Sequence, residues 1–159
     1  FEHLMFGGSV NIPDFDSPLQ RAGGESNAFT SNDITNYYDV LPSQNIETAL
    51  WLESDRMLSL AFSEKSLEVQ RSVVIEEFKQ RYLNQPYGDV WLKLKPLAYQ
   101  VHPYQWATIG KEIAHIENAK IADVKAIVKS PGKLFLLNEY LQKPQRSLGT
   151  LVAKSNNFG

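Results

Sequence analysis

A chain of 159 residues with 43% hydrophobic and 21% charged side chains is long enough for one globular domain that buries about two thirds of its unfolded surface. Its formal charge of −2 gives no electrostatic reason to bind nucleic acid or an anionic membrane. Zero cysteines exclude disulfides, thiolate zinc sites and cysteine catalysis, and no apolar run of about eighteen residues is present to span a membrane.

In chain order, residues 1–6 read as the last turns of a helix ended by Gly7-Gly8, which can take the positive φ of a helix C-cap. Residues 11–16 form a loop, and Asp16-Ser17-Pro18 starts a short helix over Pro18 to Ala22. Ser26 to Ser31 and Ile34 to Val40 are rich in Thr, Tyr, Phe and Ile, with Asn32-Asp33 as a turn, and predict a β-hairpin closed by Leu41-Pro42. Ser43 opens a helix of about five turns whose apolar face carries Ile46, Leu50, Leu52, Met57, Leu58 and Leu60. Ser63 caps the next, where Leu67, Val69, Val73, Val74, Phe78 and Tyr82 keep helical spacing to Leu83. Residues 84–88 break it.

Val90 to Ala98 is a further helix, and His102 to Trp106 is a loop. Ile109 to Ile116 is partly helical, Ile121 to Val128 helical, Lys133 to Leu141 helical, and Leu148 to Val152 a strand. Strands followed by runs of helices predict an α+β domain, an antiparallel sheet with helices packed on one face. On this reading residues 1–159 are a single, partial domain.

Three blocks carry the chemistry. Glu2-His3 runs on through Leu4-Met5-Phe6 into Gly7-Gly8-Ser9. Residues 23–31 read Gly-Gly-Glu-Ser-Asn-Ala-Phe-Thr-Ser and lead into Asp33 to Tyr38. Residues 70–77 read Gln-Arg-Ser-Val-Val-Ile-Glu-Glu on a long helical stretch. The inverted zinc motif is His-x-x-Glu-His, with its two His one helical turn apart on one face. Here Phe1-Glu2-His3 retains its second half. The first His would stand two residues upstream of Phe1, so the expectation is a fragment cut through the motif.

Together the blocks resemble the insulinase/pitrilysin family of zinc endopeptidases, from Phe1 to about Val124. A hydrolytic zinc needs three protein ligands and an open position for water. The resemblance implies that His3 is one ligand, Glu2 the general base, and a Glu on a later helix the third ligand. Glu76 and Glu77 stand there. The family places a charged residue two helical turns before the ligand, and that spacing from Gln70 selects Glu77. Gln70 replaces the usual acid, so a charge that would support the ligand helix is lost.

The resemblance also implies that the Ser26–Thr30 strand pairs with an extended peptide substrate. Asn27 and Ala28 would supply main-chain contacts, and Phe29 a pocket wall. It further implies a related second domain or subunit closing the site. Arg71, Lys79 and Arg81 read as solvated helix positions, His102 as a loop residue, and His115 as a core-edge or surface histidine. After Ala126 the pattern fades, leaving Tyr140, Pro144 and Leu151-Val152 either as equivalents displaced by an insertion or as part of a rearranged end.

The expected parent is thus a zinc-dependent endopeptidase acting on peptides or small unfolded proteins. This fragment, with two of the zinc ligands, would bind Zn2+ weakly or not at all and be inactive. The alternative is a non-catalytic partner or scaffold subunit of a two-domain peptidase. The absence of cysteine also fits a bacterial periplasm or cell envelope.

Overall fold

The hairpin predicted from residues 26–40 organises the N-terminal part of the chain. In the computed structural model, which describes residues 2–61, 63–129, 135–141 and 148–156, β1 (Glu25–Thr30) pairs antiparallel with β2 (Ile34–Pro42), Thr30 opposite Thr35 and Ser26 opposite Asp39. The Ser31 N–H donates to the Ile34 carbonyl at 2.8 Å, and the Ser31 hydroxyl accepts from the Ile34 N–H at 3.2 Å, closing the turn. β4 (Leu148–Asn156) pairs with the other side of β2, and β3 (Phe135–Leu141) pairs with β4. The order β1-β2-β4-β3 leaves β1 at an edge.

Three helices cover one face of this sheet: α1 (Glu2–Met5), α2 (Asp16–Arg21) and α3 (Ile46–Leu58). Ile12, Phe15, Leu19, Leu41, Ala49 and Leu52 form one buried cluster, and Met5 with Tyr37 forms another, flanked by Phe6, Ala28 and Leu60. Two glycines are fixed by geometry. Gly8 sits at φ 81° just past α1, where a side chain would meet the Ile12 carbonyl oxygen at 2.5 Å. Gly24 lets β1 start against α2, since a Cβ there would stand 2.7 Å from Leu19 Cδ1 and 3.1 Å from Leu41 Cβ. The α+β architecture with helices on one face is therefore as predicted.

The chain folds as two compact units, this one and a second made of helices. In the second, the Ser63 hydroxyl accepts from the Ser66 N–H at 3.0 Å while the Ser66 hydroxyl accepts from the Ser63 N–H at 3.2 Å, a reciprocal cap that starts α4 (Glu64–Phe78). A π-helical turn, Lys79–Leu83, carries α4 on to the predicted end. α5 (Val90–Ala98), α6 (Ile113–Asn118) and α7 (Ile121–Lys129) follow. Among the described residues no helix is long and apolar enough to cross a membrane.

Three expectations are corrected. Residues 135–141 form a strand and not a helix, because ladder pairing with β4 outweighs the helical spacing of their leucines; Lys133 and Leu134 lie outside the described residues. The buried face of α3 is Ala49, Leu52, Glu53 and Arg56, whereas Leu50 and Leu58 face solvent. Arg71 is not solvated. Its guanidinium donates to the carbonyls of Ile116, Glu117 and Ala119, satisfying the open C-terminal end of α6.

Candidate metal centre and substrate edge

Glu2 and His3 lie on α1, a single turn anchored by buried Leu4 and Met5 and continued by Phe6, whose ring meets Tyr37 edge-on at 5.8 Å. The hairpin beneath holds Glu2 at two points. The Tyr37 hydroxyl donates to the Glu2 carbonyl at 3.2 Å, and the Thr30 hydroxyl donates to Glu2 Oε2. Thr35 Oγ1 stands 3.2 Å from Thr30 Oγ1. Burial, and then the Glu2 carboxylate, push the Tyr37 phenol far above its ordinary pKa, so it remains a donor. His3 is half-buried on the same turn.

β1 alternates along its length. Ser26, Ala28 and Thr30 turn inward, while Asn27 and Phe29 are exposed. The Ala28 N–H donates to Asn27 Oδ1 at 2.8 Å, so it points to the open edge and takes no part in the ladder with β2. The predicted substrate residues Asn27, Ala28 and Phe29 thus share one sheet edge, on the strand that also contacts Glu2.

A group that the sequence reading missed lies on the same inner face. Asp39, Glu53 and Arg56 are each 1% exposed or less. Arg56 Nε donates to Glu53 Oε2 at 3.3 Å, and a second guanidinium nitrogen pairs with Oε1. The guanidinium also stacks 4.1 Å above the Phe15 ring and 5.2 Å from that of Tyr37. Burial pushes Glu53 up to about 7, with Arg56 opposing and Asp39 adding to the rise. Asp39 is also raised by burial, against the Ser26 hydroxyl and the Arg56 charge. Neither Asp39 oxygen nor Arg56 Nη1 has a hydrogen-bond partner in the structure at ordinary distance. The available signal was the opposite charges of Glu53 and Arg56 one helical turn apart, and an Asp inside an apolar strand.

In the second unit, Glu76 and Glu77 end α4. Glu76 is exposed and lies 3.7 Å from Lys79, whereas Glu77 is half-buried and pairs with Arg81 at 2.9 Å. Gln70, two turns before Glu77, is also half-buried. Leu67, Gln70, Val74 and Glu77 follow one flank of the helix, opposite Glu76. His102 and His115 are accounted for locally. His102 Nδ1 accepts from the Tyr104 N–H at 3.3 Å, and exposed His115 pairs with Glu112.

An imidazole and carboxylates are the donors that zinc accepts. Among the described residues, however, no three His, Asp or Glu side chains gather closely enough to hold a metal ion. The donor types of His3 and Glu77 are ones that zinc accepts.

Residues 1–111 match the family described as Insulinase (Peptidase family M16). The chain belongs to that family. Zinc protease PqqE of Helicobacter pylori is 37% identical over 126 residues, which are 78% of this chain and 28% of PqqE. The uncharacterized zinc protease YmxG of Bacillus subtilis is 30% identical over 113 residues, 70% of this chain and 27% of YmxG. The A-factor-processing enzyme of Saccharomyces cerevisiae is 32% identical over 115 residues, 69% of this chain and 11% of that enzyme. A solved structure, a protease from Helicobacter pylori, superposes with a TM-score of 0.73 at 37% identity, covering 78% of this chain and 30% of that one. The chain therefore spans under a third of the length of these peptidase-family relatives.

Proposed function

We propose that the protein carrying this chain is a zinc-dependent endopeptidase of peptides or small unfolded proteins, with Glu2 as general base and His3 and Glu77 as two zinc ligands. The observation that carries this reading is Glu2 beside His3 on a turn docked to an edge strand, its carboxylate bonded to Thr30. Zinc, when bound, acidifies a water and polarises the scissile carbonyl. Glu2 accepts the proton of the attacking water and returns it to the leaving amine. The main chain of Asn27 and Ala28 pairs with an extended peptide as an added strand, the Ala28 N–H exchanging Asn27 Oδ1 for the peptide, and Phe29 forms a pocket wall. Gln70 stands where the family carries an acid, so the helix that presents Glu77 lacks that supporting charge.

On this proposal a related second domain or subunit closes over the peptide, and the 159-residue chain alone is inactive. Elemental analysis of a longer form, extended on both sides, tests it. About one zinc per chain is expected, lost in His3→Ala and in Glu77→Gln. A longer form that takes up no zinc under metal-replete conditions overturns the reading and leaves a non-catalytic scaffold subunit.

A further inference from the structure

We propose that Thr30 is a positioning residue for Glu2, so that the strand offering its edge to the peptide also orients the base that acts on it. This rests on the functional reading above. Thr30 follows Asn27, Ala28 and Phe29 on β1 and turns inward, where its hydroxyl donates to Glu2 Oε2.

A threonine hydroxyl has a single hydrogen to give. With that hydrogen on Glu2, the 3.2 Å contact between Thr30 and Thr35 has Thr35 as donor. The result is a directed chain from Thr35 through Thr30 to the carboxylate. A hydrogen bond to an ionised acceptor is short and strong, and it sets the orientation of the carboxylate plane. Oε1 is then the oxygen left to take the proton. The Tyr37 hydroxyl fixes the Glu2 main chain from β2, so backbone and side chain are both referenced to one hairpin.

The spacing gives this arrangement its consequence. Ala28 and Thr30 are two residues apart on one strand, roughly 7 Å. A peptide paired at the Ala28 edge therefore lies at a fixed offset from the anchor of the base. Without the Thr30 hydroxyl, peptide and base are no longer tied to the same strand, and a misplacement of about 1 Å can cost about 100-fold in rate.

Two measurements test the role. In the metal-free protein, Thr30→Val and Glu2→Ala, each of which removes the hydrogen bond, are compared singly and together by thermal melting. A direct contact makes the double variant's loss of Tm clearly smaller than the sum of the single losses. In the longer, zinc-loaded protein, Thr30→Val lowers kcat about 10- to 100-fold with KM and zinc content unchanged, and Thr30→Ser restores kcat. Additive Tm losses, or a Thr30→Val enzyme with full kcat beside an inactive Glu2→Gln, overturn the positioning role alone. A Glu2→Gln enzyme with full activity overturns the functional reading, and the role with it.

Discussion

Glu2 and Glu77 are both carboxylates on helices, held in opposite ways. Glu2 sits on a single turn too short to be stable by itself. It is fixed by contacts distant in sequence, from Thr30 and from Tyr37. Glu77 sits near the end of a fifteen-residue helix with a reciprocal N-terminal cap, and it pairs with Arg81 one turn away. In the first unit a buried polar group on the sheet's inner face backs the hairpin that holds Glu2. In the second, a long capped helix presents the carboxylate. A functional group can thus be placed by tertiary packing or by local periodicity, and the two should respond differently to damage.

Removing one partner of the buried group should cost most. Arg56→Met leaves Glu53 and Asp39 buried without their cation, and a loss of about 3–5 kcal/mol is expected in denaturant unfolding. pH sharpens the same contrast. Burial raises the Glu53 pKa from 4.5 to about 7 in the folded state, with Arg56 and Asp39 as its charged neighbours and Asp16 acting on Asp39. Between those values the folded protein keeps a proton that the unfolded chain releases. The stabilisation is full below about 4.5 and is lost as the pH rises through 7. Its expected size is on the order of 2–3 kcal/mol, and Glu53→Gln should flatten the profile.

Gly24→Ala drives a methyl into Leu19 and Leu41 where β1 begins, and a loss of about 1–3 kcal/mol is expected by the same unfolding assay. At the other extreme, Arg81→Ala removes an exposed helix-surface pair and should change stability by about 0.3–0.5 kcal/mol. An Arg81→Ala loss as large as that of Arg56→Met would erase the distinction between the two units.

What was legible in the sequence follows the same division. Local signals were read directly: Ser63 as a cap, residues 90–98 as a helix, the turn after Thr30, and Gly7-Gly8 ending the first helix. The candidate residues came from Glu-His beside glycines and from the spacing of Gln70 and Glu77. What escaped was non-local. The spacing of leucines in α3 suggested an apolar face with Leu50 and Leu58, but the sheet selects Glu53 and Arg56 for burial because Asp39 and three aromatic rings await them. Arg71 looked solvated because the carbonyls it satisfies lie more than forty residues away. Residues 135–141 carry a pattern that only their pairing with β4 resolves.

The central claim is that Glu2 performs proton transfer in a zinc peptidase, and cleavage of a quenched fluorescent peptide tests it most directly. The assay compares the longer, zinc-loaded protein with its Glu2→Gln variant at equal zinc content. The account predicts hydrolysis by the first and a rate at least about 100-fold lower in the second. No hydrolysis by the zinc-loaded protein, or equal rates in the two, would contradict it.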